Sequence, residues 1–453
     1  MKIKIFSLFI CIMLAFSPLT AYAQSSDDID TLISSIPSSG WPQAPDIESE
    51  AAILVEINSG TILYGKNATK SMYPASTTKL MTALLTVENT SLDEVVTYSS
   101  TAINTLPIGS SHIGLRVGEK LTVEDSLYGL LLPSANEVAN GLAEHIGGSI
   151  ENFVTMMNEK ATQLGAVNTN FKNANGLYNS EHTTCAYDLY LIMNAAIKNP
   201  AFLRIDSTPT YVRPADELLN KTIPMGSTHQ MLRKNSPYYN QYIVAGKTGW
   251  TPESGRCLVS YAVKDDLEFI IVVLNAPDGK QYEDTKALMD YGFENFKLVR
   301  PSEQDTQYSS NVLSTSTPLQ IPQQVVSLAE INSSSQIILP IDVSFSDLEK
   351  KALETSTDNS LSLIEYSYKG YGVGTARLLA NTNNTTNDLL LSASFSNPYT
   401  TNAKHLIVIQ LWHILLVAII GLSIFCYIRY KNRGNYRPHK KKYKKIHLSK
   451  HLK

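Results

Sequence analysis

Ser76 and Lys79 stand three residues apart in PASTTKLMTA, residues 74–83, just after a proline and at the head of an apolar-striped segment. In a helix that spacing brings a hydroxyl and an amine close enough to meet. A serine hydroxyl becomes a useful nucleophile only when a base takes its proton. A lysine is such a base only where burial or a second cation keeps it neutral. The pair can therefore do acyl transfer; alone, it also reads as a helix start with a solvated lysine. Two further stretches carry complementary chemistry. LPSANEVANGL sets Ser134 and Asn136 two residues apart before an apolar helix, where a serine is commonly a helix cap. VAGKTGWT sets Lys247, Thr248, Gly249 and Trp250 near the end of a strand. If Lys247 shares a cleft with Lys79, it is the second cation that lowers the pKa of Lys79.

The elements that must position these groups are legible as patterns. AAILVEINSGTILYG reads as a hairpin turning at Asn58-Ser59-Gly60. In PASTTKLMTALLTVE, Leu80, Met81, Leu84, Leu85 and Val87 fall at helical spacing on one face. DSLYGLLL, NEVANGLAEHI and ENFVTMMNEKATQLG also read as helices. NQYIVAGKTGW reads as a strand, and RCLVSYAVKDDLEFIIVVLNA as a hairpin turning near Lys264-Asp265-Asp266. Two early and three late strands make one five-stranded antiparallel sheet, with DTKALMDYGFENFKLV as a helix packed on it. That is an α+β domain over residues 46–300. Residues 24–45 and 301–318 read as polar linkers. Residues 319–403 read as a small β-rich domain built from QIILPIDV, LSLIEYSYKG, GVGTARLLA and DLLLSASF.

The chain ends carry signals of their own. Residues 1–23 have Lys2 and Lys4, an apolar run from Ile5 to Phe16, and a closing Ala21-Tyr22-Ala23. This is the pattern of a secretory signal peptide cut before Gln24. Leu406–Ile428 carries no Asp, Glu, Lys or Arg over 23 residues, enough to cross a bilayer; the expected transmembrane helix is 404–428. The tail 429–453 holds eleven Lys or Arg and no acid, which marks a cytoplasmic side and an anionic lipid partner. The expectation is a single-pass protein of the cell membrane with its catalytic domain outside. The chain's net charge of −3 hides an acidic segment 24–403 of about −17, which argues against nucleic-acid binding. Cys185 and Cys257 lie in apolar segments, so pairing and two buried thiols both stay open. No Cys/His spacing points to zinc.

The S-x-x-K, S-x-N and K-T-G stretches, in this order, resemble those of penicillin-binding proteins and class A β-lactamases. SMYPASTTKLMTALL, LLLPSANEVANGLAEHIGG, FVTMMNEKATQLGAVNTNFKNANGL, VAGKTGWT and DTKALMDYGFENF together resemble the D-alanyl-D-alanine carboxypeptidases of the low-molecular-mass penicillin-binding class over residues 46–300. A trailing β domain with a C-terminal anchor is similar to that family's layout. The resemblance implies a helical subdomain beside the sheet. It implies peptidoglycan stem peptides ending in D-Ala-D-Ala as substrates, β-lactams as inhibitors, and no cofactor or metal. It implies Ser76 as nucleophile, Lys79 as its base and Ser134 as proton relay to the leaving amine. Asn136 would hold the substrate amide, and Lys247 and Thr248 would meet the terminal carboxylate. The Ser76 and Trp250 backbone N–H groups would form the oxyanion hole. One position departs from the pattern: where the family often carries a carboxylate-binding arginine, this chain has Gln281, with Lys280 beside it as a substitute point charge.

His112, His182 and His229 have no acid at a telling spacing and are expected to be structural or surface residues. A class A β-lactamase needs a glutamate to drive water; no Glu-x-x-x-Asn in a loop context stands between Asn136 and Lys247. Transpeptidase or endopeptidase activity is the nearer alternative, and a non-catalytic muropeptide or β-lactam sensor the other.

Overall fold

Five antiparallel strands form the sheet at the centre of the computed structural model, which describes residues 26–305, 329–353 and 360–380. They are β1 (Ala51–Glu56), β2 (Ile62–Lys66), β3 (Ile243–Thr251), β4 (Gly255–Lys264) and β5 (Leu267–Ala276), in the order β2-β1-β5-β4-β3. As expected, the sheet draws on both ends of the segment, and the last hairpin turns at Lys264–Leu267. In β5 every residue from Phe269 to Leu274 is buried, because both faces of this central strand are covered. Side chains alternate between faces. Ile270, Val272 and Leu274 join one core; Phe269, Ile271 and Val273 join the other.

Helices fill the first core. Helix α2 (Lys79–Asn89) buries Leu80, Met81, Leu84 and Leu85. It packs with α3 (Val123–Leu131), α4 (Asn136–Gly147), α5 (Ile150–Leu164) and α6 (Ala186–Ala196). Helix α7 (Lys280–Asn295) packs on the opposite face of the sheet, against β5 and β4.

Two expectations change. The stretch read as a leader linker contains helix α1 (Ser26–Ser34). Its Ile29, Leu32 and Ile33 recur at helical spacing and pack onto the first core. Trp41 and Ile47, a little further on, are buried in the second core. The segment FKLV, expected to continue α7, is instead strand β6 (Phe296–Val299). It pairs with β8 (Ile337–Pro340), after the short β7 (Ala329–Ile331). β-Branched and aromatic residues there favour a pleated pairing over one more helical turn. Strands β9 (Glu349–Leu353), β10 (Ser360–Tyr368) and β11 (Tyr371–Ala380) complete a second sheet in the order β7-β11-β10-β9. Trp41 bridges the two modules, its ring 5.2 Å from that of Phe296 and 5.3 Å from that of Tyr371.

The expected signal peptide, most of the 301–318 linker, DLLLSASF, the 404–428 span and the basic tail lie outside the described residues. Among the described residues no helix is long and apolar enough to cross a membrane.

Candidate active site

Neither serine caps a helix. Ser76 sits in a 3-10 turn, Ala75–Thr78, that leads into α2. The N-cap of α4 is Ala135, with no side-chain cap, and Ser134 precedes it. Two non-glycine residues here have left-handed backbones, Ala75 at φ 47° and Ser134 at φ 65°. Such a conformation costs on the order of 1–2 kcal/mol each. It aims both hydroxyls into one cleft of about 590 Å³ that Thr248, Gly249 and Trp250 also line. Lys79 and Lys247 are fully buried and do not line it.

Lys79 explains the arrangement. Its Nζ lies 3.0 Å from Ser76 Oγ, 2.7 Å from Asn136 Oδ1 and 2.6 Å from the Asn175 carbonyl oxygen. Two of these three partners can only accept. A neutral amine has two N–H donors and one lone pair. As an ammonium Lys79 donates to all three oxygens; once deprotonated, as its burial favours, it keeps two donors for Asn136 and Asn175 and has a lone pair left for the Ser76 hydroxyl. Burial, and after it the Lys247 cation, hold Lys79 well below the usual lysine range, against the pull of the Glu137 carboxylate. Lys247 donates to the Thr248 carbonyl at 3.0 Å. Burial lowers it to about 8, with Asp206 opposing. Asp206 accepts from the Gly246 N–H at 2.8 Å, and its own burial raises it to about 7.

Asn136 thus engages Lys79 through its Oδ1. Lys280, weighed as a substitute cation, points elsewhere: it is paired with Glu48 at 2.9 Å and Glu283 at 2.8 Å and does not line the cleft. Gln281 does line it, with Oε1 buried and without a hydrogen-bond partner. Ser134 Oγ is likewise unpartnered and lines the same cleft.

Several participants were not singled out from the sequence. Asn175 supplies the second acceptor for Lys79, and its own Nδ2 is held by Asn140 Oδ1 at 2.9 Å. Gly176, at φ 84°, lets that loop lie against the nucleophile's turn: a Cβ there would fall 1.9 Å from the Ala75 carbonyl oxygen. The only sequence signal is the Asn-Gly dipeptide in NANGL, a turn marker. Gly249 is constrained in the same way from the strand side, with an added Cβ 2.9 Å from the Pro74 carbonyl and 3.1 Å from the Ser76 nitrogen. Backbone from three segments therefore meets at Ser76. Gly176→Ala is expected to cost about 2–4 kcal/mol from overpacking plus left-handed strain. It should lower the thermal unfolding midpoint by several degrees. An unchanged melting curve would remove that constraint.

The histidines and cysteines are elsewhere engaged. His182 Nδ1 accepts from the Lys172 N–H at 3.0 Å, so Nε2 donates to Thr78 Oγ1 at 2.8 Å. Burial lowers it to about 4. His229 meets Ser260 Oγ at 2.9 Å, and burial, then Lys247, lowers it to about 3. His112 is exposed. Cys185 and Cys257 are both free and buried, so the pairing alternative falls.

The profile of the D-alanyl-D-alanine carboxypeptidase family matches residues 39–278, more than half of the chain. The chain belongs to this family. This D-alanyl-D-alanine carboxypeptidase family member is 33% identical over 256 residues to the carboxypeptidase DacF of Bacillus subtilis, covering 55% of this chain and 63% of that one. It is 30% identical to DacC of Escherichia coli, covering 59% and 66%. The chain thus spans a little under two thirds of the length of these two relatives. The carboxypeptidase of Streptomyces sp. K15 is 32% identical, with 88% of its length covered. Among solved structures, penicillin binding protein 6B from Escherichia coli matches 75% of this family member and 98% of its own chain, at TM-score 0.56 and 25% identity. The Streptomyces K15 DD-transpeptidase matches 56% and 100%, at TM-score 0.52 and 29% identity. The family fold is therefore of the penicillin-binding type, with its five-stranded antiparallel sheet.

Proposed function

We propose that this protein is a serine-type D-alanyl-D-alanine carboxypeptidase that removes the terminal D-alanine of peptidoglycan stem pentapeptides and is acylated by β-lactams. The observation that carries the reading is the buried Lys79 amine, 3.0 Å from Ser76 Oγ with its two donors spent on carbonyl-type oxygens. Ser76 attacks the carbonyl between the last two D-alanines while its proton passes to Lys79. The negative charge that develops on the carbonyl oxygen is met by the Ser76 and Trp250 N–H groups, a kind of interaction worth several kcal/mol. Lys79 returns the proton through Ser134 to the leaving amine, and the C–N bond breaks. The unpartnered Ser134 hydroxyl in the cleft supports that relay. The burial of Lys79, and after it the charged Lys247, favour its neutral form. Water then cleaves the ester on Ser76. This chemistry calls on no metal or organic cofactor.

The same acyl-enzyme can pass to an amine instead of water, and one similar solved structure is that of a DD-transpeptidase. Mass analysis of a D-Ala-D-Ala pentapeptide incubated with the protein separates the two. Free D-alanine with tetrapeptide is the expected result; a cross-linked dimer as main product would sink the carboxypeptidase assignment. The leader pattern, the apolar 404–428 stretch and the basic tail support a place at the cell membrane, with the cleft outside and the tail toward anionic lipid.

A further inference from the structure

A peptide that ends in a free carboxylate brings a negative charge into the cleft, and something must receive it. The two lysines do not: both are buried and already donate to protein oxygens, while Thr248, which lines the cleft, offers a hydroxyl but no charge. The start of α7 does not either: Gln281 is neutral, and Lys280 is held between Glu48 and Glu283. Among the described residues that line the cleft, Arg256 is the one that carries positive charge. It lies on β4 directly opposite Trp250 of β3. Cross-strand partners face the same side of a sheet, and the guanidinium carbon sits 5.2 Å from the centre of the Trp250 ring. That stacking holds the guanidinium plane in place without using its outer nitrogens. Its Nε lies 2.8 Å from Asp278 Oδ1. The Asp278 side chain is 82% exposed, so this pairing is a weak one that an incoming carboxylate can displace.

We infer that Arg256 is the carboxylate anchor of the cleft. It takes the terminal carboxylate of the peptide on its guanidinium fork, with Trp250 orienting it and Asp278 holding it until the peptide arrives. This inference rests on the peptidase reading above.

The test uses the full chain and two D-Ala-D-Ala peptides, one with a free C-terminal carboxylate and one with a carboxamide. Wild type is expected to prefer the carboxylate form. Arg256→Ala should raise KM for the carboxylate peptide roughly 10- to 100-fold, the scale of a lost hydrogen bond to a charged group. The loss should be markedly smaller for the carboxamide peptide, so that the preference for the carboxylate form shrinks at least about tenfold. Asp278→Asn, an exposed change that cannot be blamed on misfolding, should lower KM for the carboxylate peptide severalfold and leave the carboxamide peptide alone. If wild type discriminates and Arg256→Ala discriminates equally well, or if Asp278→Asn leaves the carboxylate KM unmoved, the anchor is elsewhere while the peptidase reading stands. If wild type cleaves neither peptide, the peptidase reading fails and the anchor falls with it.

Discussion

Replacing Ser76 by alanine is expected to abolish covalent labelling by fluorescent penicillin and to lower kcat/KM for a D-Ala-D-Ala peptide by roughly 10⁴- to 10⁶-fold. That is the scale of losing a nucleophile from a group of residues that act as a unit. The substitution removes the only oxygen in the cleft that both lies 3.0 Å from the Lys79 amine and carries a proton to give. It should leave the fold intact. The neutral amine still satisfies both its donors on Asn136 and Asn175, and a half-buried hydroxyl contributes about 1 kcal/mol. Labelling that survives in a variant with an unchanged melting curve would mean that another side chain is the nucleophile. Ser134 would then be the first to test, since it lines the same cleft unpartnered.

Lys79→Met tests the other half of the pair. Methionine keeps the length of the side chain and its burial but supplies no base. The acylation rate by a β-lactam is expected to fall about 10³- to 10⁴-fold, toward the upper end of what a general base contributes. The pH profile gives a second readout. In the proposed mechanism Lys79 acts as a neutral amine, so the wild-type rate should fall on the acid side as pH drops through its lowered pKa. In the same mechanism Lys247 acts as a cation, so the rate should fall again as pH rises past about 8. In Lys79→Met the acid limb should vanish while the basic limb stays near 8. An acid limb that persists in that variant assigns it to another group and removes Lys79 from the role of base.

Much of the scaffold could be read without coordinates, because its patterns are local. The strand residues 269–274 form a continuous apolar run, and α2 repeats its apolar residues at helical spacing. Such patterns depend on which faces are covered. The misreadings were local too. Ile29, Leu32 and Ile33 make too short a stripe to stand out beside Ser, Asp and Pro. FKLV follows a long helix with no breaker, and only its partner Ile337–Pro340, some forty residues on, makes it a strand.

The chemistry divides along the same line. The residue types and order of Ser76, Lys79, Ser134, Asn136, Lys247 and Thr248 carried the resemblance to the family, and with it the proposed reaction. Which cation faces a ligand was settled only by the fold. Lys280 is adjacent to Gln281 in sequence, yet its side chain is drawn off by Glu48, more than two hundred residues away. Arg256 carries no motif, yet strand register sets it over Trp250. Whether Lys79 is a base also depended on enclosure. Burial among distant segments, and after it the Lys247 cation, push the amine toward its neutral form, and neither is visible in the S-x-x-K spacing.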